Sequence, residues 1–201
     1  AGNIAYNLKM LGGDPLIMAT VGDDFGPYRE RLDKLGISRA HVREIAGAFV
    51  PQAFITTDLE ANQITAFHPG AMASSYLNKV GDAKDVKLGI LAPDSRDGML
   101  QHAGQFHDLK IPFIFDPGQA MGVFNGGELR HFVELADYIA VNDYEARSLE
   151  ERTGDSIDKM AERVKAVFVT KGAAGSVIYA DGQQIFVPSV KENRRMDPTG
   201  C

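Results

Sequence analysis

Apolar residues recur along this chain with two periods, and their order predicts helices alternating with strands. Ile4, Ala5, Leu8 and Leu11 share one face of a helix that Gly12 and Gly13 end. An apolar run over 16–21 predicts a buried strand. The segment 22–26 is a turn, and the amphipathic pattern over 28–35 is a second helix, closed by Gly36. Residues 42–45, 53–57 and 63–67 are short, β-rich and partly alternating, with 58–62 as a hairpin loop. They predict a small antiparallel sheet inserted into the α/β pattern and broken by His68-Pro69-Gly70-Ala71.

From residue 87 the alternation returns. Strands are predicted at 87–92, 112–115, 138–141 and 166–170, and helices at 96–109, 129–136, 143–153 and 157–164. The runs 175–180 and 184–187 flank Asp181-Gly182, a two-residue hairpin signal. Strands alternating with helices imply a mostly parallel sheet. Ligands of such sheets sit at the carboxyl ends of the strands. That rule singles out Asp116, Asn142, Thr170-Lys171-Gly172 and the terminal loop 197–201.

Composition narrows the classes. A length of 201 residues fits one domain, with room for a small appended subdomain. At 44% hydrophobic and 24% charged residues, the chain can build a packed core. The net charge of −6 argues against a broad basic nucleic-acid surface. No apolar run approaches the ~20 residues needed to span a bilayer, and no signal-peptide pattern opens the chain. Cys201 is the only cysteine, which leaves no intrachain disulfide or cysteine-based zinc site and fits a reducing cytosol. Both ends read as cut: the first residue is Ala1, and 197–201 read as a loop leading onward.

Each candidate motif has a functional and a plain reading. In Asp197-Pro198-Thr199-Gly200-Cys201, small residues ahead of a helix would leave backbone N–H groups free for an anion; the alternative is a simple turn. Asn142 and Glu145, three apart at a strand-to-helix junction, suit a hydrated Mg²⁺. They suit a capping box equally in type, and locally capping is the stronger reading. Thr170 to Gly175 either wraps phosphates or is a plain glycine loop; its spacing is neither a Walker A loop nor a dinucleotide fingerprint. Asp116-Pro117-Gly118 reads as a strand-ending turn. No two of the five histidines have metal-ligand spacing, and Gly-x-Ser-x-Gly, His-Glu-x-x-His and Cys-x-x-Cys are absent.

In order and spacing, these pieces resemble the ribokinase-like (PfkB) family of sugar and nucleoside kinases over essentially the whole chain. Gly2-Asn3-Ile4-Ala5 with Leu11-Gly12 is similar to its N-terminal signature, and Val21-Gly22-Asp23-Asp24-Phe25-Gly26 to its turn of glycines around an Asp. Asn142-Asp143-Tyr144-Glu145 resembles its Asn-x-x-Glu motif, and Val169 to Gly175 its nucleotide loop. Residues 197–201 are similar to the start of its second signature, with Pro198 where the family has Thr. The segments 2–8 and 66–72 look most like the bacterial adenosine, or nucleoside, kinase branch.

The resemblance implies a three-layer α/β/α fold with a mostly parallel sheet and a small β lid. The core would be 1–39 and 69–201, incomplete at both ends, and the lid 40–68. It implies ATP-dependent phosphorylation of the hydroxymethyl group of a nucleoside such as adenosine. Asn3 would bind the acceptor hydroxyls. Phe54 and Phe67, with Phe49, would either stack on a base or pack the lid onto the body. Asn142 and Glu145 would act on the phosphates through water-coordinated Mg²⁺, and Thr170, Gly172 and Gly175 would line the nucleotide. Gly200 and Cys201 would supply anion-hole amides, while Asp197 and Thr199 match positions that hold a monovalent cation, usually K⁺, in some members. The general base would lie two residues beyond Cys201, so the 201-residue chain alone is expected to be inactive. The implied cytoplasmic enzyme needs neither nucleic acid nor membrane, and lid strands of this family can pair across a homodimer. The alternatives are a ribokinase- or fructokinase-type sugar kinase and a non-catalytic nucleoside or sugar binder. A dinucleotide-dependent oxidoreductase ranks last, because no Gly-x-Gly-x-x-Gly joins a strand to a helix.

Overall fold

The computed structural model of the chain describes residues 2–59 and 63–191. Its contacts group it into two compact units, Ala1–Asp82 and Ala83–Cys201.

The first unit runs α1 (Gly2–Met10), β1 (Leu16–Val21), α2 (Gly26–Lys34), β2 (Ser38–Glu44), β3 (Gln52–Thr57) and β4 (Gln63–His68), then 3₁₀ turns at Gly70–Leu77 and Val80–Asp82. Ala5 of α1, Leu32 of α2, Ile17 and Val21 of β1, and Phe25 and Ile37 close its small core, whereas Ile4, Leu8 and Leu11 of the expected α1 face are exposed. β2 pairs with β1 in parallel, Ala19 opposite Val42. This differs from the expectation that 42–45 belongs to an antiparallel insert. The reason is α2: a helix between two strands returns the chain to the starting end, so the second strand runs parallel to the first. The antiparallel pairing is confined to β3 and β4, with Phe54 opposite Ala66 and Ala53 opposite Phe67.

The second unit is a six-stranded sheet with helices. Its strands are β5 (Gly89–Leu91), β6 (Phe113–Phe115), β7 (Tyr138–Asn142), β8 (Ala166–Thr170), β9 (Ser176–Ala180) and β10 (Gln183–Val187), in the spatial order β10-β9-β8-β7-β6-β5. β5 to β8 are parallel, β9 pairs antiparallel with β8, and β10 pairs antiparallel with β9. The connecting helices are α3 (Arg96–Asp108), α4 (Gly126–Leu135), α5 (Asp143–Thr153) and α6 (Ile157–Ala161). Alternate strand residues Phe113, Phe115, Ile139, Val141, Val167 and Val169 are buried in one cluster with Met99, Leu129, Phe132, Leu149 and Met160 from the four helices. The described helices therefore cover one face of this sheet. On the other face Ile90 is 41% exposed, and Ile114, Tyr138 and Phe168 are half-buried. The β9–β10 turn puts Asp181 at φ 50° and Gly182 at φ 69°, the left-handed pair that a two-residue hairpin requires.

Candidate active site

The parallel strands β6, β7 and β8 end side by side, and their carboxyl ends carry the candidate polar groups of the second unit. Asn142, the last residue of β7, sits opposite Thr170, the last of β8. Asp116 follows the last residue of β6.

Asn142 is the N-cap of α5. Glu145 N–H donates to Asn142 Oδ1 at 2.8 Å, and Asn142 N–H donates to Glu145 Oε2 at 2.8 Å. The capping box weighed in the sequence is thus present. It occupies one oxygen of each side chain and leaves Glu145 Oε1 without a hydrogen bond among the described residues. A second capping box, Asn125 with Glu128, starts α4, and there Arg96 donates to the remaining Glu128 oxygen. The two boxes differ in that free oxygen.

Asp116 gives the free oxygen its meaning. Burial, and then the charge of Glu145, push the Asp116 carboxyl up to about 6, against a lowering hydrogen bond from the Gly118 amide. Two carboxylates at neighbouring strand ends repel each other, and a cation between them would relieve both. Sequence reasoning named Asp116 a strand-end residue but read it as a turn; the local Asp-Pro-Gly carries no sign of its burial. Among the described residues no group of three or more His, Cys, Asp or Glu forms a direct metal cage. The donor set is all oxygen, which fits Mg²⁺ held mainly through its own waters.

Thr170 is exposed and opens a short loop with a 3₁₀ turn at Gly172–Ala174. Gly172 has φ 55° and open space around its α-carbon. Gly175 serves a packing need: at φ 111°, a Cβ there would lie 2.2 Å from the Val187 carbonyl oxygen. Ser189 Oγ donates to the Ala173 carbonyl at 2.7 Å and holds the loop against the chain after β10.

In the first unit, Asn3 lies exposed in the first turn of α1. Phe54 is 60% and Phe67 52% exposed on the hairpin. Because Phe54 opposes Ala66, the next residue, Phe67, points to the other face. A single ligand can therefore stack on only one of the two from one side. A concavity of about 440 Å³ in this unit is bordered by Met18, His41, Arg43 and Lys79 among others, and no candidate residue lines it. Asp197, Thr199, Gly200 and Cys201 lie outside the described residues.

Comparison with known proteins decides the family. The family model of pfkB family carbohydrate kinases matches residues 1–201. The chain belongs to the pfkB carbohydrate kinase family. This pfkB-family chain is 50% identical to the Burkholderia thailandensis nucleoside kinase solved in complex with inosine, with a TM-score of 0.96, covering 100% of this chain and 68% of that one. The same kinase in complex with ADP-inosine superposes with a TM-score of 0.94 at 50% identity, covering 100% of this chain and 63% of that one. The nucleoside kinase of Methanocaldococcus jannaschii is 31% identical over 203 residues, 100% of this chain and 67% of its own length. The pfkB-family chain thus spans about two thirds of the length of these relatives. Among its described residues, no helix is long and apolar enough to cross a membrane.

Proposed function

We propose that the chain is part of an ATP-dependent nucleoside kinase that phosphorylates the hydroxymethyl group of its acceptor. The observation that carries this is the likeness of the whole chain, at 50% identity, to a kinase solved with inosine and with ADP-inosine. In this reading the strand ends of the second unit receive the phosphates. The free Glu145 oxygen and Asp116, with Asn142 beside them, would hold Mg²⁺, which would neutralise phosphate charge there. The α5 N-terminus adds its dipole. Thr170 and Gly172 border the nucleotide, and Asn3 binds acceptor hydroxyls. The hairpin covers the acceptor, and its two apolar faces leave one for a base and one for a second copy of the chain. Catalysis is then positioning plus electrostatic stabilisation of the transferred group. ATP dependence fits a cytoplasmic location, and K⁺ would bind at Asp197 and Thr199.

The test is a coupled ADP-release assay of the full-length protein with inosine, adenosine, other nucleosides, ribose and fructose. Turnover with nucleosides is expected. Turnover with ribose or fructose and none with any nucleoside would replace this reading with the sugar kinase. Nucleoside binding without turnover would replace it with the non-catalytic binder.

A further inference from the structure

Within the first unit, two legs of chain join the β3–β4 hairpin to the rest of the unit, and both are stitched to the end of β1. On the first leg, Asp23 N–H donates to the Ala48 carbonyl at 2.9 Å, and Gly47 N–H donates to Asp23 Oδ2 at 2.9 Å. Val50 N–H donates to Asp24 Oδ1 at 2.8 Å, and Gln52 Nε2 donates to Asp24 Oδ2 at 3.3 Å. The backbones approach so closely that a Cβ on Gly22 would lie 2.2 Å from the Ala48 oxygen. On the second leg, Ala71 N–H donates to the Phe49 carbonyl at 2.8 Å, while the buried Thr20 hydroxyl donates to the Ala71 carbonyl at 2.7 Å. Gly70, at φ 49°, again has no room for a Cβ beside the Phe49 oxygen. Past these legs, Phe54, Ile55, Ile64 and Phe67 are each more than half exposed. The direction of the hairpin is therefore set at its base.

Asp24 differs from the other anchors because it spans the joint. One carboxylate oxygen holds the leg at Val50 and the other holds Gln52, the first residue of β3. We propose that Asp24 is a positioning residue for the acceptor: its bridge between Val50 and Gln52 fixes the angle at which the hairpin leaves the end of β1, and so where the hairpin meets the nucleoside. This inference rests on the nucleoside kinase reading, with the hairpin as the cover of the acceptor site.

The test uses the full-length protein and compares Asp24→Ala, Asp24→Asn and Gln52→Ala. Loss of two charge-assisted hydrogen bonds at the joint should raise the nucleoside KM of Asp24→Ala about tenfold and leave the ATP KM unchanged. Asp24→Asn should stay within about twofold of wild type, because its oxygen still accepts from Val50 and the Gln52 amide can turn to face the new NH₂. Hydrogen exchange at the Val50 amide should speed up in Asp24→Ala and not in Asp24→Asn. If Asp24→Ala does not fold, Gln52→Ala carries the test, with a nucleoside KM raised about threefold by loss of one bond. An unchanged nucleoside KM in Asp24→Ala, or in Gln52→Ala where that variant carries the test, overturns the proposal, as does an equal rise in the ATP KM. A wild-type protein that phosphorylates no nucleoside overturns the functional reading itself, and is told apart because no variant is needed to see it.

Discussion

Glu145→Gln separates the two roles that Glu145 combines. Glutamine keeps a carbonyl oxygen to accept the Asn142 N–H that Glu145 Oε2 accepts at 2.8 Å, so the box survives. Stability should then stay within about 0.5 kcal/mol of wild type, whereas Glu145→Ala leaves that N–H without its cap and should cost about 1 kcal/mol. If capping is the whole story, kcat follows stability and Glu145→Gln behaves as wild type. If the free oxygen holds the waters of Mg²⁺, removing its charge removes stabilisation of the transferred phosphoryl group, and kcat should fall about 100-fold. The half-saturating Mg²⁺ concentration should rise with it. Glu128→Gln, in the other capping box, is the control: its second oxygen faces Arg96, so it should move stability slightly and kcat not at all. The assay is steady-state ADP release by the full-length protein over a Mg²⁺ series, paired with thermal unfolding. Glu145→Gln turning over within threefold of wild type at all Mg²⁺ concentrations would refute the reasoning.

Three further outcomes follow from the geometry. Asp116 has a folded-state carboxyl pushed up from 3.8 to about 6, so its ionisation opposes folding fully above pH 6 and not at all below pH 4. Asp116→Asn should therefore be more stable than wild type at pH 7.5, by about 1–2 kcal/mol after solvent screening, and equal to it near pH 4; chemical denaturation across that range checks the sign. Phe54 and Phe67 face opposite sides of the hairpin, so of Phe54→Ala and Phe67→Ala only one should raise the nucleoside KM in steady-state assays; equal rises in both would contradict the register. Gly175→Ala forces a Cβ to 2.2 Å from the Val187 oxygen at φ 111°, and should lower stability by more than about 1 kcal/mol in thermal unfolding without any nucleotide present.

The second unit was the more legible half of the chain. Its strands are short apolar runs punctuated by turn residues, and Asp181-Gly182 fixes its hairpin register through backbone sign alone. Residues 126–128 were missed as the start of α4 because Gly126-Gly127 reads locally as a loop; the reciprocal Asn125–Glu128 cap outweighs glycine's poor propensity. The 3₁₀ turns at Gly70–Leu77 and Gly118–Val123 carry no period a sequence can display. The parallel partner of β2 depends on where α2 returns the chain, which local alternation does not encode. The candidate site divides the same way. Asn142 and Glu145 announce themselves by spacing, while the coupling of Asp116 to Glu145 exists only once two strands separated by a helix end side by side.

The twin capping boxes also bear on how this protein can change over generations. Substituting Asn125 or Glu128 frays one helix end, a loss that a better-packed core elsewhere can offset. In the proposed reading, a substitution at Asn142 or Glu145 that breaks their box frays a helix end and alters the proposed phosphate site in one event. No stabilising change at a distance restores both. In a library selected for activity, the first pair should drift among capping residues, and the second should stay fixed even in a background made several kcal/mol more stable.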